Sequence, residues 1–147
     1  MNEYLFYDTS ALLANVDHLF KPFKFFIISS VSLNELERLK DDERISVEKR
    51  AAARKVNRLL KDNIDRYIVW DYKPAMLKPI EEKGYEINND MKILATALDY
   101  DKKVHPDETV FITNDLSQYN IANVFFGKDS IRILDDEVDN YCGVYTA

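Results

Sequence analysis

Four acidic residues of the 147-residue chain occupy positions from which a carboxylate can do chemistry. Asp8 ends the apolar run Tyr4-Leu5-Phe6-Tyr7, and Asp115 follows Val110-Phe111-Ile112-Thr113 and Asn114. Glu35 and Asp90 fall in the first turns of two helix candidates, Asp90 on a stripe with the apolar Ile93, Leu94 and Ala97. Each acid has a structural reading. An aspartate just before a helix is a good N-cap, worth about 0.5 to 2 kcal/mol, Glu35 completes a Ser-x-x-Glu capping box with Ser32, and Asp90 complements a helix dipole. Taken together they suggest something further. Carboxylates gathered at one sheet edge repel, each close pair by up to ~4 kcal/mol at ~4 Å and an effective dielectric near ~20, so protons or a cation must neutralise them. Oxygen donors alone suit a hard ion, Mg²⁺ or Mn²⁺, since His18 and His105 stand at no ligating spacing from each other or from Cys142. Such an ion assists attack on a phosphate by acidifying water and neutralising the phosphate's charge.

Strands alternating with helices would bring such acids to one edge. Short apolar runs rich in β-branched and aromatic residues predict strands over residues 4–7, 25–28, 67–70, 110–113 and 131–134. Helical patterns lie between them: Ser32 to Lys40, Val47 to Asp62, about Asp90 to Tyr100 behind Asn88-Asn89, and a stretch from Asp115 that ends at Gly127. Residues 73–86, with Pro74, Pro79 and Gly84, form the least regular connection, with a short helix around 76–83. The alternation implies right-handed crossovers. The expected fold is one domain over residues 1–147, a three-layer α/β/α architecture around a mainly parallel sheet of about five strands. Open parallel sheets carry their sites at the C-terminal strand ends, where Asp8 and Asp115 stand.

Composition narrows the class. With 46% hydrophobic and 31% charged residues, three Gly and four Pro, the chain is globular and neither fibrous nor disordered. The lone Cys142 excludes a disulfide framework and suits a reducing compartment. No secretory n-region or run of ~18 apolar residues is present, so a soluble, cytoplasmic protein with no membrane attachment is expected. The net charge of −6 conceals a local reversal: between Arg38 and Lys61 nine Lys or Arg face four acids. On a helix over residues 47–62, Arg50, Arg54, Arg58 and Lys61 form a ridge opposite Ala52, Ala53, Val56, Leu59 and Leu60. That ridge is either a solvated face or a salt-sensitive phosphate track.

The stretches FYDTSALL, SSVSLNELERLK, NNDMKILATAL and VFITND resemble, in order and spacing, the motifs of PIN-domain nucleases. The resemblance spans nearly the whole chain. SLNELERLK, the basic helix after it and the ending DDEVDNYCGVYTA look most like the PIN subgroup found with PhoH-type ATPases. The resemblance implies Mg²⁺- or Mn²⁺-dependent hydrolysis of RNA, single-stranded RNA above all, with Asp8, Glu35, Asp90 and Asp115 as the metal-holding catalytic acids. Ser10, Thr113 and Asn114 would support them by hydrogen bonds, and water would attack in line to leave a 5′-phosphate and a 3′-hydroxyl. Many PIN sequences carry a further acid after the fourth; here Leu116, Ser117, Gln118 and Tyr119 are uncharged, so one-ion and two-ion versions both stay open. A second copy of the chain, an antitoxin and an ATPase are the protein partners it suggests.

Two kinds of rival remain. A haloacid-dehalogenase-type phosphatase would need Asp at position 10, which is Ser10, and a receiver domain needs paired acids before Asp8 even though Asp71 imitates its phosphoacceptor. A PIN-fold module that binds RNA or protein without cutting is the stronger alternative. Four like charges kept together speak for catalysis.

Overall fold

The computed structural model describes residues 2–20 and 25–134. Cys142 and the acidic ending from Asp135 lie outside them. Five strands, β1 (Tyr4–Tyr7), β2 (Phe26–Ser29), β3 (Tyr67–Trp70), β4 (Thr109–Thr113) and β5 (Ile131–Ile133), form one sheet. Its order is β3-β2-β1-β4-β5, and every pairing is parallel. The expected α/β/α architecture is therefore present.

Among the described residues six α-helices connect the strands: α1 (Thr9–Ala14), α2 (Ser30–Leu39), α3 (Val47–Asp62), α4 (Lys78–Glu82), α5 (Asn89–Lys103) and α6 (Leu116–Phe126). The chain steps outward from β1 to β3, crosses back through α4 and α5 to β4, and steps outward again to β5. With right-handed crossovers the two sets of helices must lie on opposite faces. The core agrees. On one face Leu12, Leu36, Ala53, Val56 and Leu60 pack against Tyr7, Phe26, Ile28, Val110 and Ile112. On the other, Ile80, Ile93, Leu94, Ala97 and Ala122 cover Phe6, Ile27, Phe111 and Ile131. Strand residues alternate between the two layers, as a sheet buried on both sides requires.

The direction of winding reverses between β1 and β4, and this leaves a crevice at their C-terminal ends. Asp8 and Asp115 flank that crevice.

The boundaries differ from expectation in a few places. β2 starts one residue later, at Phe26, and β5 stops at Ile133. The α2 capping box does not form: Ser29 is the N-cap, accepting from the Val31 amide at 3.1 Å, which places Ser32 inside the helix and fully buried. In Ser29-Ser30-Val31-Ser32 three serines compete for the cap, and the strand fixes the winner because Ser29 is still paired with Trp70 of β3. Residues 73–86 hold a 3₁₀ turn, Pro74–Leu77, that leads directly into α4. Gly127 ends α6 at φ +83, a conformation L side chains rarely adopt, and Gly84 has φ +82 after α4.

Candidate functional site

Asp8 is the residue on which the crevice is built. It is 2% exposed, leaves β1 in extended conformation and caps α1, its Oδ1 accepting from the Ala11 amide at 2.9 Å. The Ser10 hydroxyl donates to Oδ1 at 2.8 Å and the Thr113 hydroxyl to Oδ2 at 2.6 Å. Both hydroxyls then accept in turn, Ser10 Oγ from the Asn114 amide at 2.9 Å and Thr113 Oγ1 from the Asp115 amide at 3.1 Å. The β1 and β4 ends are thus joined through one carboxylate, across more than a hundred residues of sequence.

Cap and site roles coincide in Asp8. Its burial nevertheless opposes ionisation and pushes its carboxyl up to about 6, against the pull of its three donors, and the negative charge of Asp90 adds to the rise.

Asp90 stands in the first turn of α5, half buried, after the N-cap Asn88. Burial raises its carboxyl as well, with Glu35 and Asp115 contributing repulsion. Glu35 lies on α2, where the Thr9 hydroxyl donates to its Oε1 at 2.6 Å and Asn89 Nδ2 to its Oε2 at 3.5 Å. The same Thr9 oxygen is 2.9 Å from Ser32 Oγ, so the residue following Asp8 links α1 to α2. Asp115 caps α6, accepting from the Ser117 amide at 2.8 Å.

All four acids therefore face one electrostatic neighbourhood at the C-terminal edge of the sheet. They do not close into a cage. Among the described residues no three His, Cys, Asp or Glu side chains converge as ligands on one point, which corrects the expectation of a formed acidic metal cluster. The reason is visible in the hydrogen bonds. Each of Asp8, Glu35 and Asp115 is satisfied by donors close at hand, and mutual repulsion favours those donors over convergence.

Two side-chain oxygens at this edge lack a donor: Asn114 Oδ1 and Gln118 Oε1 are buried without a hydrogen-bond partner. Gln118 is a site residue that the sequence reading misses. It is 2% exposed and its Nε2 donates to the Asp90 carbonyl at 2.8 Å, tying α6 to α5. Its one sequence signal is slight, an amide at helix position N3 after an Asp cap.

The basic ridge starts near the acids and runs away from them. The first turn of α3 is at the site edge, where Ser46, Glu48, Lys49 and Ala52 line a groove of about 430 Å³ with Ser10 and Asn114. From there α3 carries the chain down to the start of β3, so Lys61 lies roughly 16 Å further along the axis than Arg50. Arg54, Arg58 and Lys61 are exposed, while Arg50 is half buried. Arg54 Nη1 donates to the Lys40 carbonyl at 2.7 Å, so one of the four cations holds a loop.

A crevice at a topological switch point, bordered by acids on four separate elements, defines an open, doubly wound α/β domain with its site at the C-terminal strand edge. The chain belongs to the PIN domain family, whose model matches residues 5–125. Members of that family are generally nucleases. Compared with curated proteins, the chain finds no match. No helix among the described residues is long and apolar enough to cross a membrane.

Proposed function

We propose that the protein is an Mg²⁺- or Mn²⁺-dependent endoribonuclease acting on single-stranded RNA. The observation that carries this reading is Asp8: a buried carboxylate at the switch point, oriented by three donors, with Asp90 close enough to resist its ionisation. Excess negative charge of this kind calls for a cation. Asp8, Glu35, Asp90 and Asp115 offer the oxygen-only donor set that a hard divalent ion takes, and the undonated Asn114 and Gln118 oxygens add neutral acceptors beside them. When bound, such an ion supplies positive charge to an attacked phosphate and makes water more acidic.

The chain's own contribution is orientation. Ser10, Thr113 and the Ala11 amide hold Asp8 in one rotamer, so its charge is fixed before substrate arrives. Glu35, on a half-exposed helix turn, can shift toward a ligand at the cost of one hydroxyl hydrogen bond. Asp115 keeps its cap bond while the repulsion it exerts on Asp90 is relieved.

The test is cleavage of a fluorescent single-stranded RNA by purified protein. Activity should require Mn²⁺ or Mg²⁺, stop with EDTA, leave 5′-phosphate ends, and vanish in Asp8→Asn and Asp90→Asn while both variants stay folded. Equal activity in the wild type and both variants would identify a contaminant and end the nuclease reading. A second reading, a module that grips RNA or protein without cutting, draws on the separation of the carboxylates; RNA binding with no cleavage under any divalent ion would favour it. The segment SLNELERLK supports a place beside PhoH-type ATPases, and an antitoxin or a second copy is the other partner to seek, by co-purification and sedimentation. We assign the whole chain, 1–147, to one domain acting in the cytoplasm.

A further inference from the structure

We infer that the groove between α2, α5 and the exit of β3 is a nucleotide subsite, in which an unpaired base stacks on Tyr72 while the adjoining phosphate lies between Arg38 and Lys92. The cutting of that strand rests on the nuclease reading above; the binding does not. The groove is about 340 Å³ and is lined by Val31, Asn34, Arg38, Tyr72, Asn89 and Lys92. That is the small end of ligand-sized clefts, room for a nucleotide and not for a folded partner. It adjoins the acids through one residue. Asn89 lines it, precedes Asp90 in sequence and reaches Glu35 with its amide.

The chemistry of the lining selects the ligand. Two cations and no acid face the groove, and among the described residues neither Arg38 nor Lys92 forms an ion pair, whereas nearby Lys40 is taken by Glu37 and Lys103 by Asp99. Tyr72 stands two residues beyond β3, half buried, and its backbone amide donates to Ser30 Oγ at 2.9 Å, which fixes where the ring stands. Tyr72 packs against the core, and Lys92 Nζ lies over its ring, 5.9 Å from the centroid, so a base that stacks there displaces the ammonium toward the adjoining phosphate. Phosphate needs the first and an unstacked base needs the second. The groove on the other side of Asp8 has neither combination: Glu48 offsets Lys49, and Leu13, Ala14 and Ala52 offer no ring.

The experiment measures fluorescence anisotropy of a labelled oligouridylate, and of an abasic oligomer with the same backbone, on Asp8→Asn protein with Mg²⁺ present so that nothing is cut. Tyr72→Ala should weaken oligouridylate binding about tenfold, in line with the loss of one base–aromatic stack, and leave the abasic oligomer unchanged, while Tyr72→Phe binds as the parent does. Arg38→Gln with Lys92→Gln should weaken both probes and flatten the salt dependence by roughly 0.7 in log–log slope for each phosphate no longer neutralised. Parent-like binding by folded Tyr72→Ala and by the double charge variant would overturn the subsite, as would equal binding of a duplex RNA. The two readings separate cleanly. Metal-dependent cleavage with Tyr72-independent binding removes the subsite and keeps the nuclease, while Tyr72-dependent binding without any cleavage by the wild type does the reverse.

Discussion

The two halves of the carboxylate edge are built differently. Asp8 issues from a strand, is almost fully buried, and has both oxygens taken by donors from α1 and β4 at 2.6 to 2.9 Å. Glu35 and Asp90 sit on helix turns, half exposed, and Glu35 holds one short bond from Thr9 and a long one from Asn89. Adjacent strand ends cannot slide past one another without breaking the ladder that pairs Tyr7 with Ile112, whereas side chains on first helical turns can swing through rotamers at little cost. The strand half therefore presets charge, and the helix half adapts to what the charge attracts.

The largest effect that tests this contrast is loss of the charge itself. Asp8→Asn should lower RNA cleavage by more than about a hundredfold, exceeding the ~10 to 100-fold typical of groups that only support a metal ligand. Glu35→Gln should lose less, because its neighbours can rearrange. Equal losses, read from initial rates at saturating Mn²⁺, would mean that the two halves are equally rigid.

Stability in EDTA gives the next effect. The Asp8 carboxyl titrates at about 6 in the folded protein and at about 4 when unfolded. Between those values the native state keeps a proton that the unfolded state releases, so stability falls as pH rises through this window, by about 3 kcal/mol once both states are ionised. Urea midpoints at pH 4 and pH 7 should show this fall in the wild type and a smaller one in Asp8→Asn. Half-buried Asp42, held at about 2 by the guanidinium of Arg44, works in the opposite direction in both proteins and cancels in the difference. A divalent ion at a hundred times its Kd should return about 2.7 kcal/mol to the wild type and much less to the variant. No ion-dependent gain in the wild type would separate the acids from any metal role.

The supporting hydroxyls give a smaller, paired effect. Thr113→Val strips a buried carboxylate oxygen of its donor, which costs about 1 to 3 kcal/mol and roughly 10 to 100-fold in activity. Thr9→Val takes a donor from Glu35, which water can replace, so its cost in activity should be several times smaller, while the buried Ser32 hydroxyl that loses its partner adds to its cost in stability. If the two substitutions cost the same in activity, the helix half is as tightly held as the strand half.

Sequence patterns reach the first half of the site better than the second, for a physical reason. Asp8, Ser10, Thr113 and Asp115 sit within a few residues of strands whose apolar runs are clear, and β1 and β3 start and stop where those runs do. Local signals also mark the start of α6 at its Asp cap and its end at Gly127. By contrast, Thr9 meets Glu35 across 26 residues and Gln118 meets Asp90 across 28. Such contacts depend on how helices dock, which no local pattern encodes. The same limit applies to Tyr72, Arg38 and Lys92, one from the loop after β3 and two from α2 and α5, which only the crossover to α5 assembles. The failed capping box shows a local pattern overruled, since strand pairing at Ser29 decides where α2 begins.

The basic ridge is the limiting case, because its helical period is legible and its direction is not. Amphipathicity places Arg50, Arg54, Arg58 and Lys61 on one face; it does not say which end of α3 meets the acids. The fold settles this by running α3 from the site edge to the start of β3, so the cations recede from Asp8 along the helix. A phosphate held at Lys61 lies more than a Debye length, ~8 Å at physiological salt, from one held near Arg50. Arg58→Gln with Lys61→Gln should therefore change kcat not at all and weaken KM for a short RNA by less than about twofold, with the deficit growing only for RNAs long enough to follow the helix. Rates measured on a series of RNA lengths decide it. A large loss on the shortest substrate would show that the strand enters along α3 and would move the primary binding track from the Tyr72 side of the edge to the ridge.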